Sequence, residues 1–581
     1  MPIFPSFFVN KTGGYEIEQS LRFNSGDSTY LNWTPSSAGD RTLWTWSAWV
    51  KRSVIGSTMG LFGSYAAANN TDYLEILFAS GNTLLVQGNN IAFLNTSQVF
   101  RDTSAWYHIV IAVDTSNATA DDRIKIYVNG EQVTAFATRN NPSSGGNLGV
   151  NQAGVHRLGR RPNGTNYFDG YMAEVNFIDG SALDPTDFGE LDDNGVWRPK
   201  RYTGSYTGNS FYLKFDAADV DGDSSGLGND WTASAGISTS GTGTDVMSDT
   251  PTNNFATVSP LNINVQNVLS DGNLTLNLNS SVAYKPTSTI AIPSSGKFYF
   301  EGTIQGGASQ ATPARHHYFG LNESFPSSSF AAKLIGWVSQ GTKNIYTGSG
   351  SSSGASGSGF SNGDVLQCAV DADTGKVWMG LNNTWYSTAA NANGDPAGGT
   401  NESATMVAGT QYHSFTSLGL DSGVTGGYYI NFGQRPFAYT PPTGFKTLST
   451  KNLPAPTVKD GSQHMNTVAW TGTGASRTID FGMQPDWIWA KGRNTAANHR
   501  MSDNVRGGDG TTFYNLCTNN TNAENTDTVI NGITSTGVTF KNVDDHPNVS
   551  GSTYVGWGWK ANGSGSSNTD GSITSTVSAN P

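Results

Sequence analysis

Residues 123–133 read Arg-Ile-Lys-Ile-Tyr-Val-Asn-Gly-Glu-Gln-Val. Polar and apolar residues alternate from Arg123 to Val128, and a period of two residues buries one face of a β-strand. Asn129-Gly130 follows at once, and this pair readily takes the positive φ angles of a two-residue hairpin turn. The segment is therefore predicted to be a strand, a tight turn and a second strand.

The same kind of segment recurs along the whole chain. Residues 44–50 (Trp-Thr-Trp-Ser-Ala-Trp-Val) alternate in the same way. Residues 106–113 (Trp-Tyr-His-Ile-Val-Ile-Ala-Val) form an apolar run that is typical of a strand buried on both faces. Helical periodicity is almost absent, so we predict an all-β protein.

Composition narrows the range of functions. The chain has 581 residues, which suggests about three to four domains, and 15 Trp and 28 Phe supply enough apolar area for their cores. It has 70 Gly without a Gly-X-Y period, so a collagen is excluded. The formal net charge of −12 repels phosphate backbones, and we expect no nucleic-acid partner.

The first nineteen residues are predicted to be an attachment arm. They contain Phe4, Phe7 and Phe8, which are candidates for a hydrophobic plug that docks on another subunit, and no basic region typical of a signal peptide. Packing of the arm on the first domain is the alternative. The longest apolar strand, Ile109–Val113, is too short to cross a bilayer, so no membrane insertion is expected.

Five ordered segments identify a family for residues 20–235. They are Leu21-Arg-Phe, Trp46-Ser-Ala-Trp-Val, Trp106-Tyr-His-Ile-Val, Ile126-Tyr-Val-Asn-Gly-Glu and Phe168-Asp-Gly-Tyr-Met-Ala-Glu-Val. Together they resemble a concanavalin-A-like, laminin-G-type jelly roll. The resemblance implies an antiparallel β-sandwich of two sheets packed face to face. Residues 236–250 are predicted to be a linker.

Residues 251–448 resemble a SPRY domain. The segment from Asp364 to Trp385 reads like the strand–turn–strand core of that family, and Tyr429–Phe437 reads like its closing strand. SPRY domains are β-sandwiches that bind partners through loops and are not enzymes. The insertion at residues 348–359, rich in Gly and Ser, departs from the family pattern and is predicted to be a flexible loop.

Residues 449–581 are predicted to be a third, β-rich module. With the two preceding domains, and with the segments Asp249–Phe255 and Trp559–Gly563, the chain resembles tail-fibre and appendage proteins of marine bacteriophages. Such proteins often continue further, so whether the third module is complete stays open.

The phage resemblance implies a virion structural protein, assembled in the host cytoplasm and placed on the tail or capsid surface. In such a protein, Phe4, Phe7 and Phe8 of the arm are the candidates for docking on the particle. It also implies a homo-oligomer, most simply a trimer, that contacts other virion proteins and attaches to a host-surface glycan or protein. Capsid decoration without receptor binding is one alternative. A polysaccharide-degrading glycoside hydrolase is the other.

Receptor-binding residues are expected where aromatic rings and amides share exposed turns. Aromatic faces stack on sugar rings, and amides hydrogen-bond to hydroxyl groups. The candidates are Asn382, Asn383, Trp385 and Tyr386, with Trp197 in a second turn. A role in the hydrophobic core is the alternative for each Trp.

Asp219, Asp221 and Asp223 are the candidate metal ligands, and calcium is the one candidate cofactor. Their alternation around Gly222 resembles the start of a calcium-binding loop, in which several oxygen ligands converge on the ion. The bidentate Glu expected at the twelfth position is missing, so an ordinary polar turn is the alternative.

No catalytic residues are predicted. A retaining glucanase needs two carboxyl groups about 5 Å apart, typically alternating on one strand. Glu16 and Glu18 alternate but lie in the arm, whereas Glu174 and Glu301 each stand alone. The sequence therefore predicts that the chain is not an enzyme.

Overall fold

The fold follows from strands whose apolar residues alternate and from turns rich in Gly and Asn. The computed structural model describes residues 14–65, 72–89, 91–262, 269–278, 286–306, 316–323, 334–339, 342–347, 352–358, 360–388, 392–419, 426–456, 458–504, 513–524, 530–542, 546–561, 566–569, 572 and 574–577. The secondary structure of these residues is antiparallel β-sheet with short 3-10 turns, which confirms the all-β prediction.

The first domain contains eighteen strands among its described residues. They are β1 (Ser20–Phe23), β2 (Leu31–Trp33), β3 (Leu43–Arg52), β4 (Met59–Tyr65), β5 (Tyr73–Phe78), β6 (Thr83–Gly88), β7 (Ile91–Val99), β8 (Trp106–Asp114), β9 (Ile124–Val128), β10 (Glu131–Gln132), β11 (Phe136–Arg139), β12 (Val155–Leu158), β13 (Gly170–Asp179), β14 (Gly189–Leu191), β15 (Trp197–Pro199), β16 (Phe211–Leu213), β17 (Thr232–Ala233) and β18 (Val246–Met247). The 3-10 turns of this domain are Ser25–Asp27, Ala120–Asp122 and Pro185–Asp187.

Two sheets of the first domain pack face to face. Sheet A has the order β10-β9-β8-β3-β13-β1-β18, with β16 paired to β13, and sheet B has the order β11-β7-β6-β5-β4-β12-β2-β17. The core between them contains Trp46, Phe62 and Ile111, each almost fully buried. This arrangement is the predicted jelly roll. Asn129 and Gly130 form the β9–β10 turn with φ angles of 50° and 83°.

Sheet A is buried on its outer face as well. Val110 and Ala112 of β8 point away from the main core and pack against Phe188 and Tyr202, which follow β13 in the chain. The uninterrupted apolar run of β8 therefore has a physical reason, because both of its faces exclude water.

The segments predicted as an arm and a linker both pack on the first domain where they are described. Val246 and Met247 of the predicted linker form β18, which pairs with β1. Asp249 is fully buried. Near the start of the chain, Ile17 is buried and the Tyr15 hydroxyl donates to Glu174. Residues 236–250 are thus part of the folded domain and are not a linker.

The second domain is another β-sandwich. Its described strands are β19 (Leu269–Ser270), β20 (Thr275–Leu278), β21 (Thr287–Ala291), β22 (Lys297–Gly306), β23 (His316–Glu323), β24 (Ile335–Ser339), β25 (Thr342–Thr347), β26 (Ser352–Ser358), β27 (Val365–Asp371), β28 (Lys376–Leu381), β29 (Thr384–Tyr386), β30 (Ala404–Thr405), β31 (Tyr412–Gly419) and β32 (Gly426–Asn431). Short 3-10 turns lie at Pro260–Asn262 and Thr450–Asn452.

One sheet of the second domain has the order β19-β20-β32-β22-β27-β28-β29, and the other has the order β21-β31-β23-β24-β25-β26. Cys368 is a buried free thiol of the core between them. Ser352–Ser358, which lies in the predicted flexible loop, is a strand paired with β25. Backbone hydrogen bonds to a neighbouring strand outweigh the low strand propensity of Gly and Ser at this position.

The first and second domains share a buried polar contact. Lys51 Nζ of the first domain donates to Asn254 Oδ1 of the second domain at 2.7 Å, and it also lies 2.8 Å from Asp249 Oδ2, with both charged side chains almost fully buried. The Tyr171 hydroxyl donates to the carbonyl of Gly272 in the second domain at 2.7 Å. Ser449 is also fully buried and bridges to Phe255, so the predicted boundary at residue 448 lies inside the second domain. By its contacts, residues 5–190 and 197–454 form one compact unit.

The third domain lies in the other unit, which includes residues 455–581. Its described strands are β33 (Met465–Thr471), β34 (Arg477–Asp480), β35 (Trp487–Gly492), β36 (Arg500–Asp503), β37 (Asn515–Cys517), β38 (Ile530–Ile533), β39 (Gly537–Phe540), β40 (Thr553–Trp559), β41 (Ser566–Asn568) and β42 (Ser575–Val577), with a 3-10 turn at Gly461–Gln463. A sheet of order β33-β40-β35-β36-β37 packs on a sheet of order β34-β39-β38 through a core that includes Trp470 and Phe540.

Within the described part of the chain, no helix has the length and apolar character needed to cross a bilayer.

Candidate functional site

An open cleft of about 650 Å³ lies at the β7 side of sheet B in the first domain. Its size falls within the range of about 300–1,000 Å³ that is usual for small-molecule sites. The residues that line it are Tyr73, Asn89, Ile91, Ala92, Phe93, Asn140, Asn141, Pro142, Ser143, Gly146, Asn147, Leu148 and Gly149.

Strand pairing brings these residues together from distant parts of the sequence. β11 pairs with the middle of β7, so the chain that leaves β11 at Arg139 continues beside Ala92 and Phe93. Gly149 closes the far wall against Tyr73. A Cβ atom on Gly149 would lie 2.1 Å from the Tyr73 carbonyl carbon, so any larger residue would force the wall outward.

Backbone hydrogen bonds fix the wall formed by residues 140–149. The amide of Asn140 donates to Phe93 O at 2.7 Å, and the amide of Gly145 donates to Thr115 O at 2.8 Å. Arg123 Nη1 donates to the Pro142 carbonyl at 2.9 Å. This network holds the wall in place before any ligand arrives, which lowers the entropic cost of binding.

Three asparagines of the cleft have side chains oriented by hydrogen bonds. Asn140 Nδ2 donates to Ala92 O at 2.9 Å, and Asn141 Nδ2 donates to Asp121 Oδ1 at 2.6 Å. Asn89 Oδ1 accepts from the Tyr73 amide at 3.0 Å. Each bond uses one end of the amide and so sets the direction of the other end. Oriented amides recognise hydroxyl groups well, because they combine donors and acceptors.

Asp121, behind the cleft, remains ionised over the ordinary pH range. The hydrogen bond from Asn141 and the charge of Arg139 lower the pKa of this exposed carboxyl group. The orientation of the Asn141 amide is therefore expected to be independent of pH above the normal titration range of an Asp.

Apolar surface complements the amides. Ile91 is 47% exposed although it begins β7, and the ring of Phe93 lies two residues further on the same strand. Exposed apolar surface beside oriented amides suits a ligand that has both C–H faces and hydroxyl groups. The cleft therefore offers an exposed apolar side chain and oriented amides side by side.

The predicted receptor residues Asn382, Asn383, Trp385 and Tyr386 lie at the β28–β29 hairpin. The two asparagines are exposed and have φ angles of 48° and 65°. Asn382 Oδ1 accepts from the Val365 amide at 2.9 Å, so this side chain stabilises the turn.

The two rings of that hairpin pack inside the second domain. Trp385 lies edge-on to Tyr299 with ring centres 6.2 Å apart, and Tyr386 lies edge-on to Trp337 at 5.1 Å. Both are only partly exposed. Their packing is the alternative role that the sequence left open for Trp385.

Trp197 has a structural role in the first domain. Its Nε1 donates to His108 Nδ1 at 3.0 Å. Its ring lies between Gly130 and Gly189, where an added Cβ would come within 2.5 Å and 2.4 Å of ring carbons. The indole therefore packs against two positions at which only glycine leaves enough room. Its ring is not an exposed platform for a sugar.

The candidate metal ligands Asp219, Asp221 and Asp223 stabilise a turn. Asp223 Oδ1 accepts from the Tyr212 amide at 2.9 Å, and Asp221 Oδ2 accepts from the Ala233 amide at 2.7 Å. The carboxylates of Asp221 and Asp223 therefore point to different backbone amides, and the backbone carbonyl of Asp219 accepts from the Gly222 amide at 3.4 Å. In the part of the chain that is described, no three His, Cys, Asp or Glu side chains come together as a metal site. These contacts are those of a polar turn, and calcium binding here stays a prediction.

The remaining candidates fall into two groups. Phe4, Phe7 and Phe8 lie outside the described residues. Glu174 and Glu301 are buried, and burial raises the pKa of each carboxyl group. Glu174 accepts from the Tyr212 and Tyr15 hydroxyls at 2.7 and 2.8 Å.

The cleft residues were missed by the sequence analysis. The only local signal is residues 140–149, Asn-Asn-Pro-Ser-Ser-Gly-Gly-Asn-Leu-Gly, a run of turn-forming residues between two strands. Such loops carry binding sites in many β-sandwich domains, but the run alone does not show that β7 lies beside it.

Parts of the first and third domains match known families in sequence. Residues 25–187 match the concanavalin A-like lectin/glucanases superfamily, and every residue that lines the cleft lies within this matched segment. Residues 460–581 match the domain of unknown function DUF7483. No curated protein matches the chain in sequence.

Several solved structures are similar to parts of the chain. Domains LG4-5 of mouse laminin α1 have a TM-score of 0.25 and 10% identity, covering 76% of this chain and 89% of that one. The SPRY domain of human HERC1 has a TM-score of 0.21 and 13% identity, covering 30% and 96%. A Bacteroides ovatus protein assigned to carbohydrate binding has a TM-score of 0.25 and 14% identity, covering 38% of this chain but only 59% of its own. The SPRY relationship of the second domain stays a prediction.

Proposed function

We propose that this chain is a non-enzymatic structural protein of a virion, a bacteriophage tail fibre or appendage that attaches to host-surface glycans. The observation that carries the proposal is the rigid, amide-lined cleft on a concanavalin-A-like domain. The presence of several β-sandwich domains supports it, because domains of this kind present loops that can bind a surface.

Non-enzymatic action is favoured by the surroundings of the buried acids. Oε1 of Glu301 accepts from the Tyr299 hydroxyl and the Tyr439 amide, and Oε2 accepts from the Ala438 amide. Glu174 is enclosed by two tyrosine hydroxyls. A glycosidase needs two carboxyl groups facing one substrate, and neither acid is placed for that.

Attachment by a weak site is made effective by repetition. A homo-oligomer, with a trimer as the simplest case, presents several clefts to one surface and raises the effective concentration of each. Capsid decoration without glycan binding and polysaccharide cleavage are the two competing functions.

Two measurements test the proposal. Immunogold labelling of purified particles should place the chain on the virion, and a glycan array should show binding with no release of new reducing ends. Absence from the particle, or binding to no glycan at all, would refute the attachment function. Depolymerisation of a bound polysaccharide would establish the hydrolase instead.

A further inference from the structure

We infer that the first-domain cleft selects neutral oligosaccharides over sialylated, sulfated or phosphorylated ones. This inference rests on the proposed attachment to glycans and specifies the chemical class of the ligand. It follows from the charge, the hydrogen-bonding groups and the shape of the cleft.

The described residues that line the cleft include four asparagines and a serine, and none of these lining residues has a charged side chain. An anionic sugar held against such a surface would lose part of its hydration without gaining a cationic partner. Unpaired buried charges are disfavoured strongly. A neutral sugar has no such cost, and its hydroxyl groups match the amides.

The arginines closest to the cleft are already engaged elsewhere. Arg139 Nη1 lies 3.3 Å from Asp121 Oδ1, and Arg41 Nη2 lies 2.5 Å from Asp72 Oδ1. Arg123 donates to the backbone of the cleft wall. These guanidinium groups therefore stabilise the walls from behind. The net charge of −12 adds a general repulsion of polyanions.

The shape fits a short oligosaccharide. Ile91 presents exposed apolar surface to the cleft, where the C–H face of a pyranose ring can pack, whereas Phe93 is 8% exposed and supports it from the core. Asn140, Asn141 and Asn147 line the same cleft from the loop that follows β11, and they supply amide groups for the hydroxyl groups of that ring. A volume of about 650 Å³ accommodates more than a single sugar.

The first test compares matched glycans on the full-length chain. A neutral glycan and its sialylated and sulfated derivatives are immobilised, and binding is measured at low and high salt. We expect the neutral form to bind at least about tenfold more tightly, and its affinity to be nearly independent of salt, because no ion pair is formed. Tighter, salt-sensitive binding of an anionic form would overturn the inference while leaving glycan attachment intact.

The second test locates the sugar with two matched pairs of variants. Ile91→Ala should weaken binding by about fivefold, since part of the apolar contact is lost. Val99→Ala is its control, because Val99 is similarly exposed on the same strand but does not line the cleft.

In the second pair, Asn147→Asp places a negative charge in the cleft. Asn163→Asp adds the same charge on an exposed turn outside it and keeps the acceptor that serves Thr165. We expect only Asn147→Asp to weaken the neutral glycan. Equal effects within each pair would place the sugar elsewhere and overturn the inference, whereas absence of binding to every glycan would refute the proposed function itself.

Discussion

The Nε1 of Trp197 donates a hydrogen bond to Nδ1 of His108, and the imidazole stacks on Trp49 on its other side with ring centres 4.8 Å apart. His108 Nε2 lies 2.9 Å from Ser47 Oγ. The imidazole accepts at Nδ1, so it is neutral and its proton lies on Nε2. The His108 side chain therefore links its own strand, β8, to β3 and to β15.

Trp197→Ala should destabilise the first domain. The variant leaves a cavity between Gly130 and Gly189 and removes the donor to His108, so we expect a loss of about 2–4 kcal/mol in the free energy of unfolding. Urea denaturation monitored by circular dichroism measures it. A variant that keeps its stability but loses glycan binding would show that Trp197 contacts the receptor after all.

The stability of the first domain should fall as the pH falls below about 6.5. Burial lowers the pKa of His108 to about 3, whereas the unfolded chain takes up a proton near the ordinary value of 6.5. Because the unfolded state binds the proton first, the stability present above pH 6.5 is progressively lost down to pH 3.

Comparison with His108→Gln isolates this effect, since Gln can keep both hydrogen bonds and does not titrate. Between pH 6.5 and pH 5 the wild type should lose about 2 kcal/mol relative to the variant. Parallel pH profiles would contradict a neutral, buried His108.

Asp249→Ala should unfold or strongly destabilise the unit formed by the first two domains. It leaves Lys51 buried without its partner and removes an acceptor of the Trp106 indole at 3.1 Å. Loss of one partner of a buried ion pair costs about 3–5 kcal/mol. The double variant Lys51→Met/Asp249→Leu should recover part of that loss. If Asp249→Ala changed the free energy of unfolding by less than about 0.5 kcal/mol, Asp249 would behave as a residue of an unpacked linker, and this prediction would be contradicted.

Much of the fold can be predicted from local sequence. The alternation in residues 123–128 and the Asn129-Gly130 pair specify the β9–β10 hairpin without help from the rest of the chain. The β28–β29 hairpin at Asn382-Asn383 is equally local. Strand and turn preferences depend on a few neighbouring residues, so both can be predicted from the sequence.

The cleft and the burial of the Trp197 ring cannot be predicted from local sequence. Asn140 reaches Ala92 only because β11 pairs with β7, a contact across 48 residues of sequence. The ring of Trp197 is covered because two glycines far apart in the chain meet over it. Val246–Met247 reads as linker because two residues are too few to show alternation, yet β1 offers an unpaired edge that it fills.

Polysaccharides that bind the chain should remain intact. Because Glu174 and Glu301 are already bound by tyrosine hydroxyls or backbone amides, we expect no new reducing ends above the buffer level after prolonged incubation. Glu174→Gln and Glu301→Gln should leave that background unchanged. Any hydrolysis that disappears in either variant would identify a catalytic acid.

The most direct test of glycan attachment through the first domain is a high-resolution structure of the full-length chain with the tightest-binding neutral oligosaccharide. We expect density for sugar rings between Ile91 and residues 140–149, with hydroxyl groups bonded to the asparagine amides. Density at the Asn382–Tyr386 turn or on the third domain, with the cleft empty, would contradict this account.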